Sequence, residues 1–329
     1  MSKKILLIQT AFLGDVILAT ILIEKCKAFF PEAQIDFLVR DGNQSILEEH
    51  PHLSNVWVWN KKNAKLKEIT RIISLIRAQK YDFVLNAQRF FTTGLFTYFS
   101  NAHTTVGFDK NPLSFLFHKK VAYKRAANIH EVERNFALVA SITDEQPAAI
   151  CLYPTEKHYQ NIRPLQTNPY ICIAPTSVWN TKQFPEQQWL QLVDLLTENF
   201  TIYLIGSKSD ASFCQQIREK AKQPQKVENM AGKLHLLEVA ALMEKAAMNY
   251  ANDSAPTHIA SAMKAPITTI FCSTIPAFGY SPLGEKAKIV ETTKTLDCRP
   301  CGVHGQKGCP KGHFDCAYTI TMEQLLAGL

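Results

Sequence analysis

Apolar residues along the chain come in two rhythms. Short, mostly apolar segments at 5–9, 35–39, 55–58 and 83–86 read as strands, the first of them buried at Leu6, Leu7 and Ile8. Between them, helically spaced apolar positions occupy 16–30, 44–50, 64–79 and 92–100. That alternation predicts a parallel sheet wrapped by helices. A further helical stretch covers 130–142, after which Pro147, Pro154 and Pro164 punctuate a weakly patterned loop, the natural place for a domain boundary. The alternation then restarts, with a strand at Tyr170–Ala174, a loop to Phe184, a helix at 186–199, a strand at 202–205 and Gly206-Ser207-Lys208-Ser209-Asp210 opening another helix. A helix at 236–246, a strand at 247–251, a helix at 256–263 and a strand at Ile267–Phe271 follow. Thr321-Met322-Glu323-Gln324 has capping-box spacing, which assigns Leu325 and Leu326 to a final short helix. The pattern predicts two α/β domains, residues 1–155 and 165–315, with a C-terminal helix within 316–329. Two such domains facing each other would hold ligands at their strand ends, across a shared cleft.

Composition narrows the class. A chain of 329 residues exceeds the usual single-domain size. With 46% hydrophobic and 20% charged residues it reads as globular, and no apolar run approaches the ~18–20 residues of a membrane span. Met1-Ser2-Lys3-Lys4 gives a basic start with no small-residue cleavage site after it, so the expectation is a cytoplasmic protein. The net charge of +7 comes without basic runs or a basic helix face interleaved with aromatics, which argues against a nucleic-acid partner. It fits an anionic small substrate, an anionic membrane surface, or simply a solvated exterior.

Three loops carry candidate chemistry. In "LLIQTAFLGDVILAT", residues 6–20, Asp15 sits after Gly14, where an apolar strand gives way to an apolar helix. A dinucleotide-binding turn would want G-x-G-x-x-G here. One glycine and a carboxylate make an anion an unsuitable ligand, and Asp15 is either a cap for a helix starting at Val16 or a site residue. In the second half, Pro175-Thr176-Ser177-Val178-Trp179-Asn180-Thr181-Lys182 combines hydroxyls, backbone amides and a lysine between strand and helix, as phosphate binding requires, although Lys182 lacks Walker spacing. It can equally be an ordinary surface lysine. "NYANDSAPTHIASAM", residues 249–263, places Asp253 at a strand end, Ser254, Ala255 and Thr257 in the turn and His258 one turn into the helix. Helix cap and structural histidine are the bland alternatives; a common sheet edge with Lys182 favours a site.

Taken with "GDVILAT", "YDFVLNAQ", "TTVGF", "HEVERNFAL", "KQFPEQQW" and "NMAGKLHLLEVAALMEKA", these pieces make the chain resemble, over nearly its full length, the ADP-heptose:lipopolysaccharide heptosyltransferase family. The resemblance implies the GT-B architecture of two Rossmann-like domains. It implies Asp15 as general base toward the acceptor hydroxyl, Thr176 and Ser177 on the donor diphosphate, and Lys182 neutralising its growing charge. It also implies Asp210 on the ribose, Leu234 under the adenine, Asp253 on the heptose, and the turn Ser254, Ala255 and His258 on sugar and phosphates. The family usually has glycine where this chain has Ala255. The implied donor is ADP-L-glycero-D-manno-heptose and the implied acceptor the inner-core and lipid A region of lipopolysaccharide, with inversion at the anomeric carbon. No D-x-D triplet occurs, so no magnesium clamp and no catalytic cofactor is expected. Alternatives are a relative using another nucleotide sugar or acceptor, a non-catalytic nucleotide-sugar-binding protein, and a sugar-nucleotide epimerase.

Two further features stand apart. Cys298, Cys301, Cys309 and Cys316 are spaced C-x2-C-x7-C-x6-C, with His304 and His313 among them, which suits a structural zinc, loose thiols or, least in a reducing compartment, disulfides. Residues 83–125 hold Phe83, Phe90, Phe91, Phe96, Phe99, Phe108, Phe115 and Phe117, followed by Lys119, Lys120, Lys124 and Arg125. Most of these rings suit a core, and the rest, with the lysines, would suit peripheral contact with the inner membrane.

Overall fold

The computed structural model describes residues 2–61, 65–124, 129–327 and 329; Met1, Ala64, Arg125 and Gly328, which figure in the expectations above, lie outside them. The chain divides into two compact units, Met1–Tyr153 and Pro154–Leu329. Each is built on a parallel six-stranded sheet with flanking helices.

In the first unit the strands are Lys4–Ile8 (β1), Gln34–Arg40 (β2), Asn55–Trp59 (β3), Phe83–Asn86 (β4), Thr104–Phe108 (β5) and Lys119–Val121 (β6), in the order β3-β2-β1-β4-β5-β6. Its helices are Leu13–Leu18 (α1), Thr20–Phe29 (α2), Lys65–Gln79 (α3), Phe91–Phe99 (α4) and Glu131–Ala140 (α5). Leu6 and Ile8 of β1 share one hydrophobic cluster with Ile72 and Ile76 of α3 and Phe96 of α4. Ile5 and Leu7 point to the other face and are as fully buried. A strand covered on both faces favours apolar residues at every position, hence the run Ile5–Ile8 in the sequence.

The helix expected at 16–30 starts earlier, at Leu13, and is two helices, α1 ending at Leu18 and α2 starting at Thr20. Asp15 is therefore not a cap before Val16 but stands at the third position of α1, where its carboxylate accepts the Phe12 N–H at 3.2 Å. The helix expected at 44–50 is a single 3-10 turn, Gln44–Leu47.

The second unit repeats the plan with Tyr170–Ala174 (β7), Thr201–Leu204 (β8), Val227–Asn229 (β9), Met248–Asn252 (β10), Ile267–Phe271 (β11) and Ala287–Glu291 (β12), ordered β12-β11-β10-β7-β8-β9. Its helices are Glu156–Ile162 (α6), Glu186–Leu196 (α7), Ala211–Lys220 (α8), Leu236–Lys245 (α9), Ala255–Ala262 (α10), Asp315–Tyr318 (α11) and Met322–Leu326 (α12). Ile171, Ile173, Ile202 and Leu204 of the sheet pack with Trp189, Leu192 and Val193 of α7 and with Ile217 of α8. In this sheet the strand order reverses between β7 and β10, the two strands whose following loops carry Lys182 and Asp253. In a doubly wound sheet that switch point is where a crevice opens for a ligand.

Candidate active site

In the first unit, Asp15 lies just beyond β1, half-buried in the first turn of α1. Burial pushes its carboxyl up to about 6, the negative charge of Glu131 pushes the same way, and the Phe12 N–H bond and the Arg89 guanidinium pull it back. Glu131 opens α5 and is held by Arg134, whose Nη1 donates to Glu131 Oε2 at 2.8 Å. Helix α5 is tied to α1 by Asn135, which donates to the Leu18 carbonyl at 3.3 Å. The Tyr123 ring carries the Arg89 guanidinium at 4.1 Å and that of Arg134 at 5.3 Å. Cations also stand at the end of β2 and just after β3. Arg40 lies over the Phe12 ring at 4.8 Å, and Lys61 donates to the Thr10 carbonyl at 2.9 Å. Gly14, the substrate-binding candidate beside Asp15, is the second residue of α1.

In the second unit, Lys182 ends a 3-10 turn, Asn180–Lys182, in the loop after β7. Its ammonium meets Asp253 Oδ2 at 2.6 Å, so two residues 71 positions apart by sequence number, each singled out from the sequence, form one ion pair. Both side chains are largely buried, at 15% and 8% exposed. Asp253 Oδ2 also accepts the Thr274 hydroxyl at 2.8 Å. Asn252 fastens the lysine loop to β10, its Oδ1 accepting the Phe184 N–H at 2.8 Å. Thr176 and Ser177 lie half-buried in the same loop, which the Gln183 side chain closes by donating to the Ser177 carbonyl at 2.7 Å.

The turn after β10 starts α10, with Ser254 as its N-cap residue and Ala255 as its first residue. Ser254 Oγ donates back to the Asn252 carbonyl at 3.2 Å, and its own side chain caps no helix N–H. In the first turn of α10 Pro256 has no N–H and the Thr257 N–H donates to the Ser254 carbonyl at 3.1 Å, so what the helix start offers an anion is chiefly the positive end of its dipole. His258 is buried on α10 with the Tyr280 ring 6.4 Å away.

Asp210 is engaged locally: its Oδ2 accepts the Ser207 N–H at 2.7 Å and the Ser207 hydroxyl at 2.5 Å, forming a capping box before α8. Leu234 is half-buried beside His235, the N-cap of α9.

The cysteines do not form the expected site. Among the described residues no group of three or more His, Cys, Asp or Glu side chains is arranged to hold a metal ion, so a structural zinc at Cys298, Cys301, Cys309 and Cys316 is not supported. The thiols are turned to other partners. Cys298 Sγ faces His313 Nε2 at 3.8 Å, Cys301 Sγ donates to the Cys298 carbonyl at 3.2 Å, and Cys316 is buried in α11 with its thiol pushed up to about 11. All nine cysteines are free thiols.

Of the aromatic stretch, Phe96, Phe108 and Phe117 are buried, while Phe90, Phe91, Phe99 and Phe115 are exposed. Lys119 donates to the Ser141 carbonyl at 2.8 Å, and Lys120 and Lys124 are exposed. No helix among the described residues is long and apolar enough to cross a membrane.

Several contributors escaped the sequence reading. Asn252 and Thr274 are single polar residues at strand ends. Glu131 and its ion-pair partner Arg134 stood inside "HEVERNFAL", where the burial of Glu131 at a helix start, rather than the motif, reveals its influence on Asp15.

A family model described as glycosyltransferase family 9 (heptosyltransferase) matches residues 69–309. Lipopolysaccharide heptosyltransferase 3 of Escherichia coli K12 is 26% identical over 280 residues, covering 80% of this chain and 81% of that protein. Among solved structures, the glycosyltransferase family 9 protein of Veillonella parvula DSM 2008 superposes with a TM-score of 0.85 at 20% identity, covering 100% of this chain and 96% of that one. E. coli heptosyltransferase WaaC with ADP-2-deoxy-2-fluoro heptose gives 0.73 at 20% identity, covering 88% and 93%. The two parallel sheets match the GT-B fold of these heptosyltransferase structures.

Proposed function

The chain belongs to glycosyltransferase family 9, the heptosyltransferases, and from that membership we propose that it transfers heptose from ADP-L-glycero-D-manno-heptose to the inner core of lipopolysaccharide with inversion. Asp15 is the general base and Lys182 stabilises the departing diphosphate. The observation that carries the reading is Asp15, a half-buried carboxyl at a sheet's ligand-binding edge whose proton affinity is raised to about 6.

At neutral pH the group is ionised and still basic enough to accept a proton from an attacking hydroxyl. The acceptor oxygen attacks the anomeric carbon from the face opposite the nucleotide, its proton passes to Asp15, and the C–O bond to the diphosphate breaks. The charge that develops on the diphosphate is met by Lys182 and the positive end of the α10 dipole. In this role Lys182 exchanges Asp253 for phosphate oxygens, and Asp253 becomes available to a sugar hydroxyl. Thr176, Ser177, Ser254 and His258 line the diphosphate and sugar, Asp210 and Leu234 the nucleoside.

Arg40, Lys61 and Arg89, cations on either side of Asp15 in strand order, suit an anionic acceptor. Exposed Phe90, Phe91 and Phe115 in the same unit as Lys119, Lys120 and Lys124 suit a protein that works at the anionic surface of the inner membrane. Neutralising the three lysines is expected to weaken binding to anionic vesicles, and unchanged binding would remove the membrane part of the reading.

The deciding experiment is release of ADP from ADP-heptose, with and without deep-rough lipopolysaccharide, beside Asp15→Ala. Acceptor-dependent release that the variant loses is expected. Tight donor binding with no release to any acceptor would point instead to a nucleotide-sugar-binding protein.

A further inference from the structure

The segment that carries three of the clustered cysteines is tied to the lysine loop. The Thr181 N–H donates to the Gln306 carbonyl at 3.1 Å, and the Gln306 N–H donates to Thr181 Oγ1 at 2.8 Å. Asn180 Nδ2 donates to the Lys307 carbonyl at 2.9 Å. Thr181 Oγ1 also accepts the Ser273 hydroxyl at 3.0 Å, while the Ser273 carbonyl accepts the Cys301 N–H at 2.9 Å. Thr181 is 2% exposed and Ser273 is fully buried, so the bond between their hydroxyls is made out of water, while the Asn180–Lys307 bond lies at the surface.

Gly305 completes the contact. Its φ of +78° is a left-handed conformation that a side chain disfavours, and a Cβ there would stand 3.0 Å from Lys182 Cγ and from Thr181 Oγ1. The segment's backbone thus lies directly against the aliphatic stem of Lys182. Arg299 holds its other end, donating to the carbonyls of Cys272 and Thr274 at 2.7 Å each and of Phe271 at 3.2 Å, and pairing with Glu291 at 2.6 Å. Those carbonyls lie at and just beyond the end of β11, where Thr274 also binds Asp253.

We propose that residues 299–307 are a positioning segment for Lys182, with Thr181 and Gly305 fixing the lysine's stem so that its ammonium is presented to the diphosphate of the donor. The inference rests on the reading of Lys182 as the diphosphate's partner and adds what aims it. A lysine side chain is a flexible four-carbon stem carrying a compact charge, and an ammonium displaced by about 1 Å loses much of its effect on a reacting group. The backbone of 305–306 restricts the stem from one side, and Asp253 holds the head until a phosphate replaces it.

The test compares ADP with AMP in the full chain, because only the former offers a second phosphate to Lys182. Dissociation constants for both are measured by calorimetry for the parent, Thr181→Val, Thr181→Ser and Gly305→Ala, with Tm recorded for each. The parent is expected to prefer ADP. Thr181→Val, which keeps the shape and removes the hydroxyl, is expected to lower that preference about tenfold with AMP affinity unchanged, the equivalent of one buried hydrogen bond. Thr181→Ser is expected to restore it, and Gly305→Ala to lower it as Thr181→Val does. A merely structural role would weaken ADP and AMP alike. A folded Thr181→Val or Gly305→Ala with the parent's ADP-to-AMP ratio would overturn the inference and leave the function standing. A parent that binds ADP no better than AMP would overturn both.

Discussion

Asp15 holds its proton up to about pH 6, some two units beyond the 3.8 of an ordinary aspartate, chiefly because it is withdrawn from water. Only the carboxylate can accept a proton, so kcat/KM is expected to rise with pH, reach half its maximum near 6 and stay flat above, a profile that steady-state assays across pH 4.5–8.5 would trace. Glu131 contributes to the raised value, and Glu131→Gln should move this acid limb to lower pH. Because the folded-state pKa is raised, the folded chain keeps a proton that the unfolded chain has already lost between about pH 4 and 6. Stability from this group therefore falls as pH rises through that window. Asp15→Asn should be inactive yet no less heat-stable than the parent at pH 7.5, and a large drop in Tm would contradict the account. For Lys182→Ala, loss of a charge aimed at the leaving group predicts a fall in kcat of roughly 10²–10³-fold. The charge of Asp15 and the Lys182 loop were both legible in sequence, since charged residues after apolar runs stand out. Thr274 and Gly305 were not, because their value lies in what they touch after folding.

Helices α5 and α9 begin alike, each with a histidine in the capping position and a glutamate three residues on. His130 Nδ1 accepts the Val132 N–H at 3.1 Å while Glu133 accepts the His130 N–H at 3.1 Å. His235 does the same for Leu237 at 3.3 Å, with Glu238 at 2.8 Å on the His235 N–H. Since an imidazole takes the place of the usual hydroxyl or carboxylate, His235→Ala is expected to lose about 1 kcal/mol in denaturant unfolding and His235→Asn much less. Both helix starts were legible from apolar spacing, at 130 and 236, while the capping role of the two histidines was not. Central strands β1, β2, β4, β7, β8, β10 and β11 were readable because burial on both faces favours apolar residues, whereas the interior strand β5, with the sequence TTVGF, has too few apolar residues to stand out. The edge strands Lys119–Val121 and Val227–Asn229 are three residues long, too short for any periodicity to register. Helix α6 lay hidden in the proline-marked stretch because its seven residues, EKHYQNI, are mostly polar, with only His158 and Ile162 buried.

Each unit carries its own sheet and its own buried cluster, and the two sheets share one strand order when each is counted from its first strand. Thermal unfolding is accordingly expected to resolve two transitions in calorimetry. Saturating ADP at about 100 times its dissociation constant should raise the one belonging to Pro154–Leu329 by the equivalent of roughly 2.7 kcal/mol. Trp189→Ala, which empties a fully buried site in that unit, should lower the same transition. A single transition moved by both would argue that the units unfold as one. The bond from Gln306 to Thr181 spans 125 positions, and a polypeptide leaves the ribosome from its N-terminus. While the second sheet is being assembled strand by strand, the lysine is therefore without its backing. The nascent chain acquires its aimed cation only once residues 299–307 have emerged, so a product stalled before residue 300 would carry the sheet's central strands but not a finished site.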